Sequence, residues 1–128
     1  MMDDQHGAPA TCEGLDATTT VRQLVDAVAA FRDARGWARF HSPKNLSMAI
    51  AIEAAELMEC FQWVDVAESR ALLEQPAPRA AAGAELADVL IYCLSLASAA
   101  GYDVTTIISD KLAVSERKYP VDRYRGRF

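Results

Sequence analysis

Four acidic residues form two pairs, and each pair lies in an apolar stretch of the chain. Glu53 and Glu56 belong to the first stretch, and Glu85 and Asp88 stand at the head of the second. The members of each pair are three positions apart, so a helix places their carboxylates side by side on one face. Carboxylates in this arrangement are suited to binding a divalent cation or to activating a water molecule.

Helical periodicity places these acids on faces that should form the core. At 100° per residue, Glu53 falls within a stripe about 40° wide whose other members are apolar: Leu46, Ile50, Leu57 and Val64. Glu56 lies at the edge of this stripe. In the second stretch the two acids share one face with Val89, Tyr92 and Leu96. The acids of both stretches are therefore predicted to point inward.

Four inward carboxylates need a compensating charge. At about 5 Å, two carboxylates repel by roughly 3 kcal/mol at an effective dielectric near 20, and burial adds several kcal/mol for each ion. For an all-oxygen ligand set the suitable cations are Mg²⁺, Mn²⁺ and Ca²⁺. The sequence therefore predicts a divalent metal site whose ligands are Glu53, Glu56, Glu85 and Asp88.

Three other interpretations of the acid pairs are weaker. An interhelical salt bridge needs a Lys or Arg on the acidic face, and neither stretch carries one. A di-iron carboxylate bundle uses an E-x-x-H motif on two of its helices, and a zinc site commonly uses His or Cys. The two histidines, His6 and His41, lie outside both stretches. Glu59 falls on a different face and is left out of the predicted ligand set.

Composition and charge restrict the class of protein. The chain has 128 residues, of which 52% are hydrophobic, and this size predicts one domain. A net charge of −5 argues against a nucleic-acid surface, although six of the 13 basic residues lie within 111–128. Cys12, Cys60 and Cys93 form no C-x-x-C motif, which indicates reduced thiols and a cytoplasmic protein. The most apolar window, 89–100, is too short to span a membrane.

The elements that carry the acids are predicted to be four helices, which gives an all-α fold. A flexible leader is expected at 1–18, a helical domain at 19–120 and a basic tail at 121–128. The expected boundaries are a capping box at Thr20 and Gln23, a first helix end at Gly36, an N-cap at Ser42, a second helix end near Val64, a short helical turn at 67–74, a break at Pro76-Ala-Pro78, a third helix end at Gly101, an N-cap at Asp103 and a final helix end at Tyr119-Pro120.

Aromatic and basic residues accompany the acids. Trp63 follows Glu56 by one heptad and Tyr92 follows Glu85 by one heptad, so aromatic surface is expected beside both pairs, where a flat base could stack. Each such aromatic, taken alone, is more often a core residue. A metal-bound polyphosphate would also need cations at its rim, for which the candidates are Lys44, Lys111, Arg117 and Lys118.

With these residues assembled, the sequence resembles the MazG-like nucleoside triphosphate pyrophosphohydrolases, in the small all-α group that includes dCTP pyrophosphatases. The resemblance runs from about Val21 to Pro120. It rests on the ordered motifs Gly36-Trp37, Phe40-His41-x-Pro43-Lys44-Asn45-Leu46, Glu53-x-x-Glu56-Leu57, Phe61-Gln62-Trp63, Glu85-Leu86-x-Asp88-Val89-Leu90-Ile91-Tyr92 and Lys118-Tyr119-Pro120.

The resemblance implies Mg²⁺, with Mn²⁺ as a substitute ion, held by the four acids, and a water activated by Glu56 or Glu53. It further implies that substrate is bound through Trp37, His41, Lys44, Asn45, Trp63, Tyr92, Lys111, Ser115 and Lys118. By itself His41 is typical of a structural or capping residue. Ser115 stands where similar proteins commonly have Asn, and Val28 stands where the animal enzymes have His.

The expected reaction is hydrolysis of dCTP, or of a modified cytosine nucleotide, to the monophosphate and pyrophosphate. The resemblance also implies a homo-oligomer, either a dimer or a dimer of dimers, and no nucleic-acid or membrane partner. Two alternatives stay open: a hydrolase for dUTP or for a broad range of nucleotides, and a non-catalytic helical adaptor that only oligomerises.

Overall fold

The structure, a computed structural model, describes residues 14–127, and the predictions for His6 and Cys12 lie outside this range. The described part is helical and contains no strand, which confirms the all-α class. Short 3₁₀ turns occur at Leu15–Ala17 and Trp37–Phe40. The α-helices are α1 (Val21–Asp33), α2 (Pro43–Glu59), α3 (Val66–Leu72), α4 (Pro76–Ala100), α5 (Val104–Lys118) and α6 (Val121–Tyr124).

Side-chain caps begin the helices where the sequence predicted them. At the start of α1, the Gln23 N–H donates to Thr20 Oγ1 over 3.1 Å, and the Thr20 N–H donates to Gln23 Oε1 over 2.8 Å. Ser42 accepts from the Asn45 N–H at the start of α2. Asp103 accepts from the Thr106 N–H at the start of α5. Each cap of this kind stabilises its helix by about 1 kcal/mol.

Two helix ends fall earlier than predicted. The first helix ends at Asp33 instead of Gly36, whose left-handed backbone (φ 63°) leads into the 3₁₀ turn. The second ends at Glu59 instead of Val64. The cause is the capping box of α3, because Asp65 must be extended to accept from the Glu68 N–H. The residues between α2 and α3 therefore unwind in a turn.

The prolines expected to break the chain instead begin α4. Pro76 occupies the first position of the helix, where a missing N–H costs no hydrogen bond, and Pro78 lies in the first turn. The end of α4 at Gly101 is as predicted, with a left-handed φ of 71°. The Tyr102 N–H donates to the Ala97 carbonyl over 2.9 Å, as in a Schellman motif. The result is a helix of 25 residues.

The helix pair α2 and α4 forms the centre of the fold, with α1 packed against α4. The buried core of the described chain is small and comprises Val25, Leu46, Ala82, Ser95 and Ala97. Helix α5 makes only sparse contacts with the other elements. Large apolar side chains remain exposed along it, at Ile107, Ile108, Leu112 and Val114. This single chain therefore leaves much apolar surface uncovered.

By length and composition alone, α4 is also capable of crossing a membrane. A single helix that meets this criterion is weak evidence, because the core helix of a soluble protein meets it as well. In this fold α4 carries the second acid pair and packs against two other helices.

Candidate active site

Three of the four predicted ligands come together where α2 lies against α4. Oxygen atoms of Glu53, Glu56 and Glu85 all lie within 4.8 Å of one another. Glu53 and Glu85 are half-buried, whereas Glu56 is exposed. The three-residue spacing on α2 supplies two of the carboxylates, and the packing of α4 supplies the third. The predicted inward orientation of the acids is thus observed most clearly for Glu53 and Glu85.

The electrostatics of this acid cluster are unfavourable for the protein alone. Glu53 Oε2 and Glu85 Oε2 are buried, and no hydrogen-bond partner for them is found among the described residues. Desolvation raises the pKa of Glu53, and the neighbouring charges of Glu56, Asp88 and Glu85 raise it further. Desolvation is also the main cause of the raised pKa of Glu85, with Glu56 and Asp88 next. Both carboxyls are held in a site that disfavours their ionised form.

A divalent cation fits this donor set. Three carboxylates in one small volume, two of them with unsatisfied buried oxygens, match the all-oxygen ligands that Mg²⁺ prefers. Asp88 is more exposed and lies outside the tight group, but its charge reaches both Glu53 and Glu85. It stands where it could complete the ligand set.

The alternative of an interhelical salt bridge is not observed at the acids. Within residues 14–127 the ion pairs are Arg22 with Asp26 and Arg32 with Asp33. Neither pair involves an acid of the cluster, so no protein cation compensates its charge there. A bound cation therefore remains the better account of the four acids.

Glu59 lies nearer to the cluster than the helical periodicity indicated. It is exposed, one helical turn beyond Glu56, yet its charge contributes to the raised pKa of Glu85. The sequence contained this signal, because Glu59 continues the three-residue spacing of Glu53 and Glu56.

A cavity of about 220 Å³ lies beside the acids, between α1, the 3₁₀ turn and α4. It brings together three predicted substrate-binding residues, Trp37, His41 and Tyr92, with the predicted ligand Asp88. The other lining residues are Val28, Phe31, Arg32, Ile91 and Ser95. A flat ring bound here would meet aromatic side chains and would lie next to the carboxylates.

The aromatic wall of the cavity is fixed by local contacts. The rings of Phe31 and Trp37 meet edge to face, with centroids 5.8 Å apart. The Arg35 guanidinium lies 3.6 Å from the centroid of the Phe31 ring and donates to the Phe31 carbonyl. Such cation–π contacts contribute about 0.5–1 kcal/mol at exposed sites. These contacts fix the orientation of the Trp37 ring, although the residue is 45% exposed.

Three predicted residues lie just before α2 or in its first turn, and their surroundings differ. His41 is half-buried, and its buried Nδ1 has no hydrogen-bond partner among residues 14–127. Asn45 Nδ2 donates to the Phe40 carbonyl over 3.0 Å, which ties the 3₁₀ turn to α2. Lys44 is exposed at the start of α2. In this structure Asn45 therefore has a bracing contact, while Lys44 is free to meet an anion.

Besides Lys44 and Asn45, four predicted substrate-binding residues do not line the cavity of the single chain. Trp63 is 88% exposed in the turn after α2. Lys111, Ser115 and Lys118 lie on α5, the helix with sparse contacts to the rest of the chain. Their role in substrate binding stays a prediction.

The cavity also contains two polar residues that the sequence did not point to, Arg32 and Ser95. Arg32 belongs to a helix with charged residues on its surface, and Ser95 lies in an apolar run, so neither was distinguishable by residue type. The available signal for Ser95 was its heptad-like distance from Asp88, which places both on one face of α4.

Comparisons with known proteins identify relatives of this chain. The chain is 41% identical to dCTP pyrophosphatase 1 of Rattus norvegicus over 106 residues, which cover 83% of this chain and 61% of that protein. It is 33% identical to dCTP pyrophosphatase 1 of Bos taurus over 98% of this chain and 76% of that one. The matched part thus spans less than two thirds of the rat protein.

A solved structure and a family model give the same assignment. The crystal structure of a pyrophosphatase from Archaeoglobus fulgidus has a TM-score of 0.72 and 42% identity, covering 77% of this chain and 91% of that one. The model of the MazG-like family matches residues 48–127, a range that contains all four acids of the two pairs. The chain belongs to the MazG-like family.

Proposed function

We propose that this chain is a Mg²⁺-dependent nucleoside triphosphate pyrophosphohydrolase that acts on dCTP or on modified cytosine nucleotides. The observation that carries the proposal is the acid cluster with unsatisfied buried oxygens next to an aromatic cavity. The relatives named dCTP pyrophosphatase 1 support the choice of reaction and of base. A house-cleaning role in the nucleotide pool follows from such an activity.

Glu53, Glu56, Glu85 and Asp88 would hold the metal, with Mn²⁺ as a substitute ion. When bound, the cation supplies charge neutralisation for the triphosphate and polarises the phosphoryl group under attack. The protein's part is to hold four carboxylates in a preformed arrangement, so that little reorganisation is needed during the reaction. The raised pKa values of Glu53 and Glu85, caused first by desolvation and then by neighbouring carboxylates, are consistent with a site that would gain from an added positive charge.

The chain's own residues then position and activate the water. The water oxygen forms a bond to the α-phosphorus, the bond from that phosphorus to the α,β-bridging oxygen breaks, and pyrophosphate leaves. One water proton passes to a carboxylate that acts as general base. Glu56 is our first choice for this base, because it is the exposed member of the cluster and is open to solvent and substrate. Glu53 is the second choice.

Trp37, His41 and Tyr92 would enclose the base, since they line the cavity beside the acids. Lys44 would meet a phosphate at the N-terminal end of α2, where helix N–H groups also favour anions. Asn45 lies one residue further along and braces this segment.

The remaining predicted residues, Trp63, Lys111, Ser115 and Lys118, suit a site shared between protomers. We propose a homo-oligomer, a dimer or a dimer of dimers, because burial of the exposed apolar side chains of α5 would stabilise it by roughly 25 cal/mol per Å². A second chain could also bring these residues to the cavity. Cytoplasmic location fits the free thiols of Cys60 and Cys93.

The deciding experiment is pyrophosphate release from a panel of canonical and 5-modified dNTPs and NTPs, with Mg²⁺, Mn²⁺ or EDTA. Wild type is compared with Glu53→Gln and with Glu74→Gln, an exposed acid in the turn before α4 that serves as the control. Metal-dependent release that peaks on dCTP, and that only Glu53→Gln loses, is the expected result. Activity spread evenly over the panel would indicate the broad-specificity alternative. No release from any nucleotide by the folded protein would support the adaptor.

A further inference from the structure

We propose that Ser95 and Arg32 select the base, with Ser95 accepting from the 4-amino group of cytosine and Arg32 donating to its N3 and O2. This inference rests on the proposed function and names the specificity residues of the same site. Its starting point is that both polar side chains line the 220 Å³ cavity that also contains Trp37 and Tyr92.

The hydrogen bonding of Ser95 determines what it can recognise. Ser95 is only 2% exposed, and its hydroxyl donates to the Ile91 carbonyl over 2.9 Å, one turn back along α4. This contact uses the single hydroxyl proton, so Oγ has only lone pairs left to offer. A buried acceptor facing a ligand favours an amino group and disfavours a carbonyl oxygen, because the latter would leave two acceptors unpaired.

Arg32 offers hydrogen-bond donors to the cavity, whereas Ser95 offers an acceptor. Its side chain is 15% exposed, and its Nε donates to Asp33 Oδ1 over 2.8 Å. That ion pair fixes the guanidinium at the cavity wall, and its terminal nitrogens have no other protein acceptor among the hydrogen bonds of the described chain. A planar fork of N–H donors recognises two adjacent acceptors.

Together the two residues match one face of one base. Cytosine presents an amino donor at C4 and acceptors at N3 and O2, in that order, whereas uracil and thymine present an acceptor, a donor and an acceptor. Adenine shares the amino group, but the cavity is smaller than the roughly 300–1,000 Å³ of sites for drug-sized ligands. A single pyrimidine ring is the better fit. Val28 and Ile91 complete the lining as apolar wall.

The test compares Ser95→Ala and Arg32→Met with wild type by kcat/KM for dCTP, dUTP and the triphosphate of 2-pyrimidinone deoxyriboside, which lacks the 4-amino group. Ser98→Ala, on the same helix but outside the cavity, is the control for the serine. Arg22→Met, on the same helix as Arg32 and exposed, is the control for the arginine.

Each variant has a distinct expected result. Ser95→Ala should lower kcat/KM for dCTP about ten-fold, the value of one neutral hydrogen bond, and leave the 2-pyrimidinone substrate unchanged. Arg32→Met should lower kcat/KM about ten- to 100-fold for dCTP and for the 2-pyrimidinone nucleotide, because both present acceptors at N3 and O2. The kcat/KM for dUTP should change less. Both variants should raise KM more than they lower kcat. An equal loss for all three nucleotides in Arg32→Met would instead assign this residue to the phosphates.

A binding measurement separates this inference from the proposed function. The α,β-imido analogues of dCTP and dUTP cannot be hydrolysed at the bond in question, so their affinities report recognition alone. Wild type should prefer the dCTP analogue, and each variant should reduce that preference about ten-fold or more. A dCTP-to-dUTP ratio that stays within two-fold of wild type in both variants would overturn the inference while leaving the hydrolase intact. If the protein binds the dCTP analogue selectively but does not hydrolyse dCTP, the inference stands and the proposed hydrolase is overturned.

Discussion

Carboxylate oxygens of Glu53 and Glu85 lie within 4.8 Å of each other although the two residues stand on different helices. In each residue Oε2 is buried and has no hydrogen-bond partner among residues 14–127. Buried carboxylates without a partner oppose folding, so this pair indicates a functional role. The predictions below follow from this relationship and from the cavity beside it.

Replacing Glu56 by Gln should reduce turnover of dCTP about 100-fold or more while leaving the helical structure unchanged. The amide cannot accept a proton from water and is a weaker metal ligand. Pyrophosphate release gives the rate, and circular dichroism gives the fold. Glu116→Gln, an exposed acid on α5, is the matched control and should retain nearly full rate. Near-normal turnover in Glu56→Gln would remove this residue from the role of base.

Replacing Glu53 by Gln should make the metal-free protein more stable at pH 8. The substitution removes a charge that desolvation and three neighbouring carboxylates disfavour. It should also abolish most of the rise in Tm that Mg²⁺ gives wild type, because ligand binding stabilises only the form that binds. Thermal unfolding with Mg²⁺ and with EDTA measures both effects. A metal-induced rise in Tm equal to that of wild type would contradict the assignment of Glu53 as a ligand.

The stability of the metal-free protein should fall as pH rises above 4.5, the ordinary pKa of a glutamate side chain. The pKa values of Glu53 and Glu85 are raised above their ordinary value of 4.5, so the folded state binds these protons more tightly than the unfolded chain. The free energy of unfolding therefore decreases as pH rises through the folded pKa values and is lowest above them. The pKa values of Asp33 and Asp103 are lowered from their ordinary value of 3.8. These two groups therefore change the free energy of unfolding only at pH values below 3.8.

Denaturant unfolding in EDTA at several pH values checks this slope. The double variant Glu53→Gln/Glu85→Gln should flatten it, since neither amide titrates. Saturating Mg²⁺ should raise the stability most at the alkaline end, where the carboxylates are ionised. A slope of the same size in the double variant would assign the pH dependence to other groups.

Replacing Trp37 by Ala should raise KM for dCTP about ten-fold, since stacking on an aromatic ring contributes roughly 1–3 kcal/mol per base. Trp37→Phe should recover most of the loss. In a Trp63→Phe background, Trp37 is the remaining tryptophan of the chain, so binding of a non-hydrolysable dCTP analogue should change its fluorescence. Unchanged fluorescence at saturation would place the base elsewhere.

Replacing Ile108 and Leu112 together by Asp should convert the native oligomer into smaller species. Both side chains are exposed on α5, at 53% and 59%, and are four residues apart on one helix face. Light scattering after size exclusion measures the mass. Replacing Thr105 and Glu116, exposed polar residues of the same helix, by Ala is the control. A wild-type protein that is already monomeric at micromolar concentration would contradict the homo-oligomer.

The sequence predicted those features that depend on local chemistry. The caps at Thr20, Ser42 and Asp103 and the stop at Gly101 are visible because each involves a short-range hydrogen bond or a special φ. The inward acids were predictable for a different reason, since a charged residue in an apolar stripe is conspicuous at any position.

Features that depend on packing between helices were not visible. Arg32 and Ser95 face one cavity only because α1 packs beside α4. The early end of α2 depends on the capping box of α3. The apolar helical periodicity of α2 continues past Glu59, but the helix itself does not. The placement of α5 residues relative to the cavity depends on what covers that helix.

The long apolar helix α4 has a consequence for the newly made chain. Asp88 is the middle residue of its 25 residues, and Glu85 lies one turn earlier. A charged residue at the centre of a segment costs about 2.5–3.5 kcal/mol when a translocon inserts it into lipid. Glu85 and Asp88, two of the four acids of the predicted metal site, therefore raise the cost of inserting this segment into a bilayer, and replacing both by Leu would lower that cost.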